Sequence, residues 1–294
     1  MVLLAKKSES FYTLVFLWLV LSFQVHADSP VWEIEKNGNK IYLGGTFHIL
    51  TPEDYPLPTA LENAYNQSAQ VVFETDIEKL QSPEFQQTML RELTYSDGRN
   101  LQQVLSKDTY LAVQEFFAIR GIAITSIVNF KPGMVAMMMT MVELQRLGLV
   151  GVGVDTYFNE KAVNDQKIRG QLETVDEQVE FISNMGIGKE DEMLAYNLAD
   201  MEELSRSWQS LKAAWRNGDL AKLNEIAATP LKNDFPELYH SLLIERNDAW
   251  MPQIEALFET KEVEFVLVGA LHLAGKGGLL SRLSAQGYKI RQLP

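Results

Sequence analysis

The chain has 294 residues, with 26 basic against 39 acidic side chains, a net charge of −13 and no cysteine. An acidic balance of this size argues against nucleic acid as a partner, because a phosphate backbone is held by a basic face. The missing thiols exclude disulfides, a lipid-modified N-terminal cysteine and thiolate metal ligands, so stability has to come from a packed core.

Residues 1–27 carry a basic patch, Lys6 and Lys7, then an apolar run over 11–25, then Val25-His26-Ala27 before Asp28. This is the layout of a secretory signal peptide. The run is about 15 residues, where a membrane-spanning helix needs about 20. The expectation is cleavage after Ala27, a single mature domain over 28–294 with no stable membrane span, and a place in the periplasm of a Gram-negative bacterium or outside the cell. Retention of the segment as an anchor is the alternative.

The mature chain opens with two short strands, 31–35 and 40–43, around the turn-rich Lys36-Asn37-Gly38-Asn39, which reads as a hairpin. The second strand runs into Gly44-Gly45-Thr46-Phe47-His48. A loop spotted with Pro52, Pro56 and Pro58 follows, then a predicted helix over 59–67 and an apolar strand over 70–73 ending at Glu74; strand, helix, strand is the order of a parallel βαβ unit. From 82 to about 261 apolar residues recur at helical spacing, around 111–119, 134–147 and 190–215, with a weak strand candidate near Ile168. The chain then returns to a strand over 262–268, His272, a glycine-rich turn, a helix over 279–286 stopped by Gly287, and a last strand over 288–293. The fold class expected is α/β: a split central sheet built from two similar βαβ-type halves, with a large helical insertion over about 82–261.

Two strand-end motifs stand out, Gly45-Thr46-Phe47-His48 and Gly269-Ala270-Leu271-His272. In open α/β sheets, ligands bind beyond the carboxyl ends of the strands. The motif glycines Gly45 and Gly269 let the backbone turn there and let a neighbour approach without a Cβ in the way. If the two strands are neighbours, the imidazoles of His48 and His272 converge. Glu74 ends a third strand, and alternation sends Glu74 and Asp76 to one side and Thr75 to the other. Two imidazoles and one carboxylate make a three-ligand set with positions left open, the pattern of catalytic divalent-metal sites. The bland alternative is a pair of hydrogen-bonded structural histidines.

Other features are weighed the same way. His240, on a predicted helix over 237–244, reads as structural. Arg246 is suited to clamp a carboxylate or steady an oxyanion, or else to pair with Asp155 or a neighbouring acid. The methionine-rich run Met134 to Met139 reads as core filling. Gly151-Val152-Gly153-Val154-Asp155 lacks the third glycine, the lysine and the preceding strand of a phosphate loop, and nucleotide binding is rejected.

Taken together, Tyr42-Leu43-Gly44-Gly45-Thr46-Phe47-His48, Phe73-Glu74-Thr75-Asp76, Gly153-Val154-Asp155, Leu172-Glu173-Thr174-Val175-Asp176-Glu177-Gln178, Glu245-Arg246-Asn247, Val268-Gly269-Ala270-Leu271-His272-Leu273 and Gly277-Gly278-Leu279-Leu280 resemble the TraB/GumN family from about residue 31 to the C-terminus. That family looks related to the Tiki proteases, membrane-tethered metal-dependent enzymes that trim Wnt N-termini, and more distantly to erythromycin-esterase-like and haem-binding ChaN-like proteins. The resemblance implies two similar α/β halves, His48, Glu74 and His272 as metal or catalytic residues with Arg246 and Asn247 beside them as further catalytic residues, and a divalent ion, manganese or cobalt before zinc. Leu271 departs from the pattern, standing where bacterial members often carry glycine. The function expected is an exported metal-dependent hydrolase, foremost a peptidase acting on a peptide or protein. The alternatives are a non-catalytic periplasmic binding protein for haem or another small ligand, and an accessory factor in surface polysaccharide or pheromone control.

Overall fold

The structure, a computed structural model, describes residues 28–294, so the signal-peptide expectation falls on residues that lie outside it. β1 (Val31–Lys36) and β2 (Asn39–Thr46) form the expected hairpin, with Lys36 opposite Asn39. Its two central residues, Asn37 and Gly38, sit at φ 53° and 85°, the left-handed pair that a tight hairpin turn demands. β3 (Gln70–Phe73) follows the helix Thr59–Gln67, β4 (Ile168–Gln171) lies inside the helical insertion, and β5 (Glu264–Gly269) and β6 (Lys289–Gln292) close the chain.

The six strands form one sheet of order β4-β3-β5-β2-β1-β6. β5 pairs in parallel with both β2 and β3, and β3 pairs in parallel with β4, whereas β1 is antiparallel to both its neighbours. The α/β class and the helical insertion are as expected, and the two halves interleave: β5, from the C-terminal half, is inserted between two strands of the N-terminal half. β5 takes the centre because Phe265-Val266-Leu267-Val268 is buried throughout, as a strand covered on both faces requires.

Alternation along β5 feeds two cores. Phe265 and Leu267 pack with Tyr65, Phe158 and Trp215 on one face, and Val266 and Val268 pack with Trp250, Ile254 and Leu283 on the other. A third core, built on Phe117, Val135, Met139 and Leu194, belongs to the insertion. The helix Glu190–Arg216 ties it to the sheet, with Leu194 in the insertion core and Trp215 in the first sheet core. Among the described residues, no helix is long and apolar enough to cross a membrane.

Candidate active site

The parallel pairing sets Gly45 opposite Val268 and Thr46 opposite Gly269, so both G-x-x-H motifs leave the sheet side by side. Glu74 leaves β3 on the other flank of β5. The β3–β4 pairing continues one step past the strands, where Glu173 N–H donates to the Glu74 carbonyl at 2.8 Å, and this brings a second carboxylate to the same rim. A Cβ built on Gly269 would stand 3.2 Å from Glu74 Oε1, 3.6 Å from His48 Nε2 and 3.6 Å from His272 Cδ2. Three side chains from three strand ends therefore converge on the hollow that this glycine leaves. Gly45 serves packing instead: a Cβ there would press on Ala270 Cβ at 3.2 Å, against the short helix Ala270–Leu273 that carries His272.

His272 is buried, and the burial brings its pKa down to about 4. Asn247, only 1 % exposed, donates Nδ2 to the carbonyls of His272 (3.2 Å) and Gly277 (3.0 Å). Its Oδ1 must then face His272 Nδ1, 2.8 Å away. This assigns the ring proton to Nδ1 and the lone pair to Nε2. That lone pair accepts from Arg246 Nη1 at 3.1 Å. Asn247, expected among the catalytic residues, is thus a positioning residue for His272, shut away from the cleft.

Arg246 is the hub. Its Nε and Nη2 grip Glu173 in a two-bond fork at 3.0 and 2.7 Å, and Nη2 also donates to Glu74 Oε2 at 2.7 Å. The Trp250 ring lies 4.6 Å from the guanidinium carbon, and its indole N–H donates to Glu173 at 3.2 Å. Arg246 therefore pairs with neighbouring acids, and Asp155 is not among them. Burial alone would raise the Glu74 carboxyl, but the charges of His272, Arg246 and His48 and the Gly269 N–H, 2.6 Å from Oε1, outweigh it and hold the pKa near 2. Burial pushes Glu173 the other way, upward. The helix Arg246–Leu257 is entered through a π-helical stretch, His240–Glu245, a device often found at functional sites.

Asp155 belongs to the other histidine, its Oδ1 3.1 Å from His48 Nδ1. It stands in the first turn of the helix Val154–Asn164, where a carboxylate is favoured by the helix dipole. Gly151 and Gly153 explain the rejected phosphate-loop motif. A Cβ on Gly151 would meet the Leu50 carbonyl at 1.9 Å, and one on Gly153 the His48 carbonyl at 2.1 Å. The glycines let two backbones lie in contact, sealed by Val154 N–H donating to Phe47 O at 3.1 Å. The facing Asp155 carboxylate raises His48 to about 9. Asp155→Asn is expected to bring that titration back toward its ordinary value, followed by ring NMR; residues 28–294 hold three histidines, so assignment is simple. An unmoved titration would show that Asp155 does not govern His48.

A family model described as the TraB/PrgY/gumN family matches residues 30–292, nearly all of the chain. The chain belongs to the TraB/PrgY/gumN family. Neither a curated protein nor a solved structure matches it.

In this TraB/PrgY/gumN chain, His48, Glu74, Arg246 and His272 lie together around Gly269. Glu173 went unnoticed as a site residue, and the signal that would have found it was its place at the end of the weak strand near Ile168. Asp76 turns away from the cleft and caps the helix Ile77–Leu80, accepting from Lys79 N–H. His240 is exposed and paired with Glu245 at 3.1 Å. The methionine run divides: Met139 is core, whereas Met137 lines a cavity of about 560 Å³ that His48, Glu74 and Arg246 also line. Among the described residues, no three imidazole or carboxylate groups already stand at the spacing that holds a metal. His272 Nε2 and Glu74 Oε1 are 4.0 Å apart.

Proposed function

We propose that this family member is a metal-dependent hydrolase, foremost a peptidase, whose reaction centre is the hollow over Gly269. One observation carries this reading. Both imidazoles are anchored through Nδ1, His48 by Asp155 and His272 by Asn247, so that Nε2 of each is the nitrogen that could hold an ion, with Glu74 beside the same hollow. Anchoring of one ring nitrogen so that the other serves an ion is the habit of metal-binding histidines. The donor set of two nitrogens and one carboxylate suits manganese, cobalt or zinc. Two of the three, His272 Nε2 and Glu74 Oε2, already accept from a cation, the Arg246 guanidinium.

His48, His272 and Glu74 would hold the ion, which supplies Lewis acidity to a carbonyl oxygen and to water at one centre. Glu74, kept near pKa 2, stays ionised at every working pH; it is a holder of charge and too weak a base to take protons itself. Arg246 borders the cavity and offers fixed positive charge where an oxyanion develops. The cavity walls support the peptide reading: Met137, Ile182, Met185 and Leu271 are apolar and adaptable, and the amides of Gln178 and Asn197 suit a peptide backbone.

Calorimetry with Mn²⁺ is expected to show about one ion bound per chain and none in the His48→Ala/His272→Ala double variant. Because His48 Nε2 sheds its proton before holding an ion, affinity should rise as the pH climbs from 6.5 toward 9. In a peptide-library assay with added Mn²⁺, Glu74→Gln should not cleave. Undiminished binding by the double variant, or wild-type cleavage by Glu74→Gln, would refute the assignment.

A further inference from the structure

We propose that Arg246 is the resident cation of the metal-free site, covering the His272 electron pair, and that it gives up this one contact when a divalent ion binds. The proposal rests on the metal-hydrolase reading above and describes how that site is kept ready and then armed.

His272 has a single electron pair to offer. Its Nδ1–H is committed to Asn247, and Asn247 cannot reverse its amide because Nδ2 is spent on two backbone carbonyls. An ion must therefore use Nε2, and Nε2 is the atom that Arg246 Nη1 occupies at 3.1 Å. A nitrogen lone pair serves one partner at a time. Guanidinium contact and ion coordination at His272 are mutually exclusive.

Glu74 has no such conflict. Its Oε2 takes Arg246 Nη2, whereas Oε1 accepts from Gly269 N–H and faces the hollow. One carboxylate can keep Arg246 on one oxygen and offer the other. Glu173 settles where the arginine goes, because it grips the Nε–Nη2 edge in two bonds and is itself held by the Trp250 indole. The guanidinium is thus fastened along one edge and touches His272 only with the opposite nitrogen. Release of His272 costs one hydrogen bond and swings Nη1 away from Nε2, with the edge held by Glu173 as the pivot.

The freed Nη1 then belongs to the wall of the 560 Å³ cavity that Arg246 already lines. Ion loading turns this nitrogen from a cover on a ligand into a donor for substrate oxygen. The other bonds of the guanidinium, to Glu74 and Glu173, explain how two buried acids are tolerated before the ion arrives.

Mn²⁺ titration of the full protein and of Arg246→Ala and Arg246→Lys tests this. Uncovering Nε2 removes one competing charge-assisted hydrogen bond and is expected to tighten Mn²⁺ binding about tenfold in Arg246→Ala, and by a smaller factor in Arg246→Lys, which keeps a charge but not the fork. The gain must vanish in Arg246→Ala/His272→Ala; if it persists, the ion has settled between the vacated Glu74 and Glu173 and the proposal falls. Should Arg246→Ala fail to fold by circular dichroism, Arg246→Lys and the ¹⁵N resonances of His272 decide. On adding Zn²⁺ to wild type, the Nε2 resonance should move while Nδ1 keeps its proton. Unchanged or weaker Mn²⁺ affinity in the variants overturns the proposal yet leaves the metal reading standing, whereas an unmoved Nε2 resonance overturns both. No binding by wild type or any variant overturns both.

Discussion

Gly153→Ala is expected to separate His48 from Asp155 while leaving the six-stranded sheet in place. The added methyl would stand 2.1 Å from the His48 carbonyl oxygen, 2.5 Å from its carbon and 2.7 Å from His48 Cα. All three are backbone atoms, so no side chain can swing aside to make room. The φ of Gly153 is −76°, open to any residue, and the penalty is therefore steric. Either the segment after β2 withdraws or the start of the helix Val154–Asn164 does, and both movements break the Phe47–Val154 bond and the His48–Asp155 pair. Overpacking of this kind costs about 1–3 kcal/mol. Loss of the group that orients a metal-binding histidine costs about 10–100-fold in ion affinity. Urea melts and Mn²⁺ titration measure the two effects separately. Wild-type Mn²⁺ affinity together with an unchanged His48 titration would show that this backbone contact does not position the histidine.

Trp215→Ala should be the most damaging single change in the sheet core. Trp215 is fully buried, its indole N–H donates to the Gly45 carbonyl at 2.8 Å, and its ring packs 5.6 Å from that of Phe47. Truncating a buried tryptophan costs about 3–5 kcal/mol, and the orphaned Gly45 carbonyl adds about 1–3 kcal/mol. Trp215→Phe separates the two contributions, since it keeps most of the ring and removes only the donor; it should lose about 1–3 kcal/mol. Equilibrium unfolding in urea reads both variants. A loss below about 1 kcal/mol in Trp215→Ala would mean that the helix Glu190–Arg216 does not brace the first G-x-x-H motif. The coupling matters for function because Phe47, which also stacks on Trp208 at 5.1 Å, immediately precedes His48.

Elements whose signals are local were legible in the sequence. The Asn37-Gly38 turn, the helix before β3, the buried run of β5 and the strand ends at His48, Glu74 and His272 are written in period, propensity and glycine placement, each readable within about ten residues. Arg246 and Asn247 also stood out, from an unusually polar stretch between apolar ones. What each of them touches is set by the packed fold. Asp155 is 107 residues from His48, and Glu173 is 73 residues from Arg246. The first pair depends on two glycines letting distant backbones lie in contact. The second depends on β4, four residues long and with Ile168 62 % exposed, whose pattern is faint because an edge strand buries little. The π-helical entry to Arg246 and the division of labour that makes Asn247 a positioning residue are likewise invisible in a linear pattern. Local periodicity records which face a residue presents, but the partner across the cleft is set by how strands β2, β5, β3 and β4 stack in register, and that register comes from packing the whole core at once.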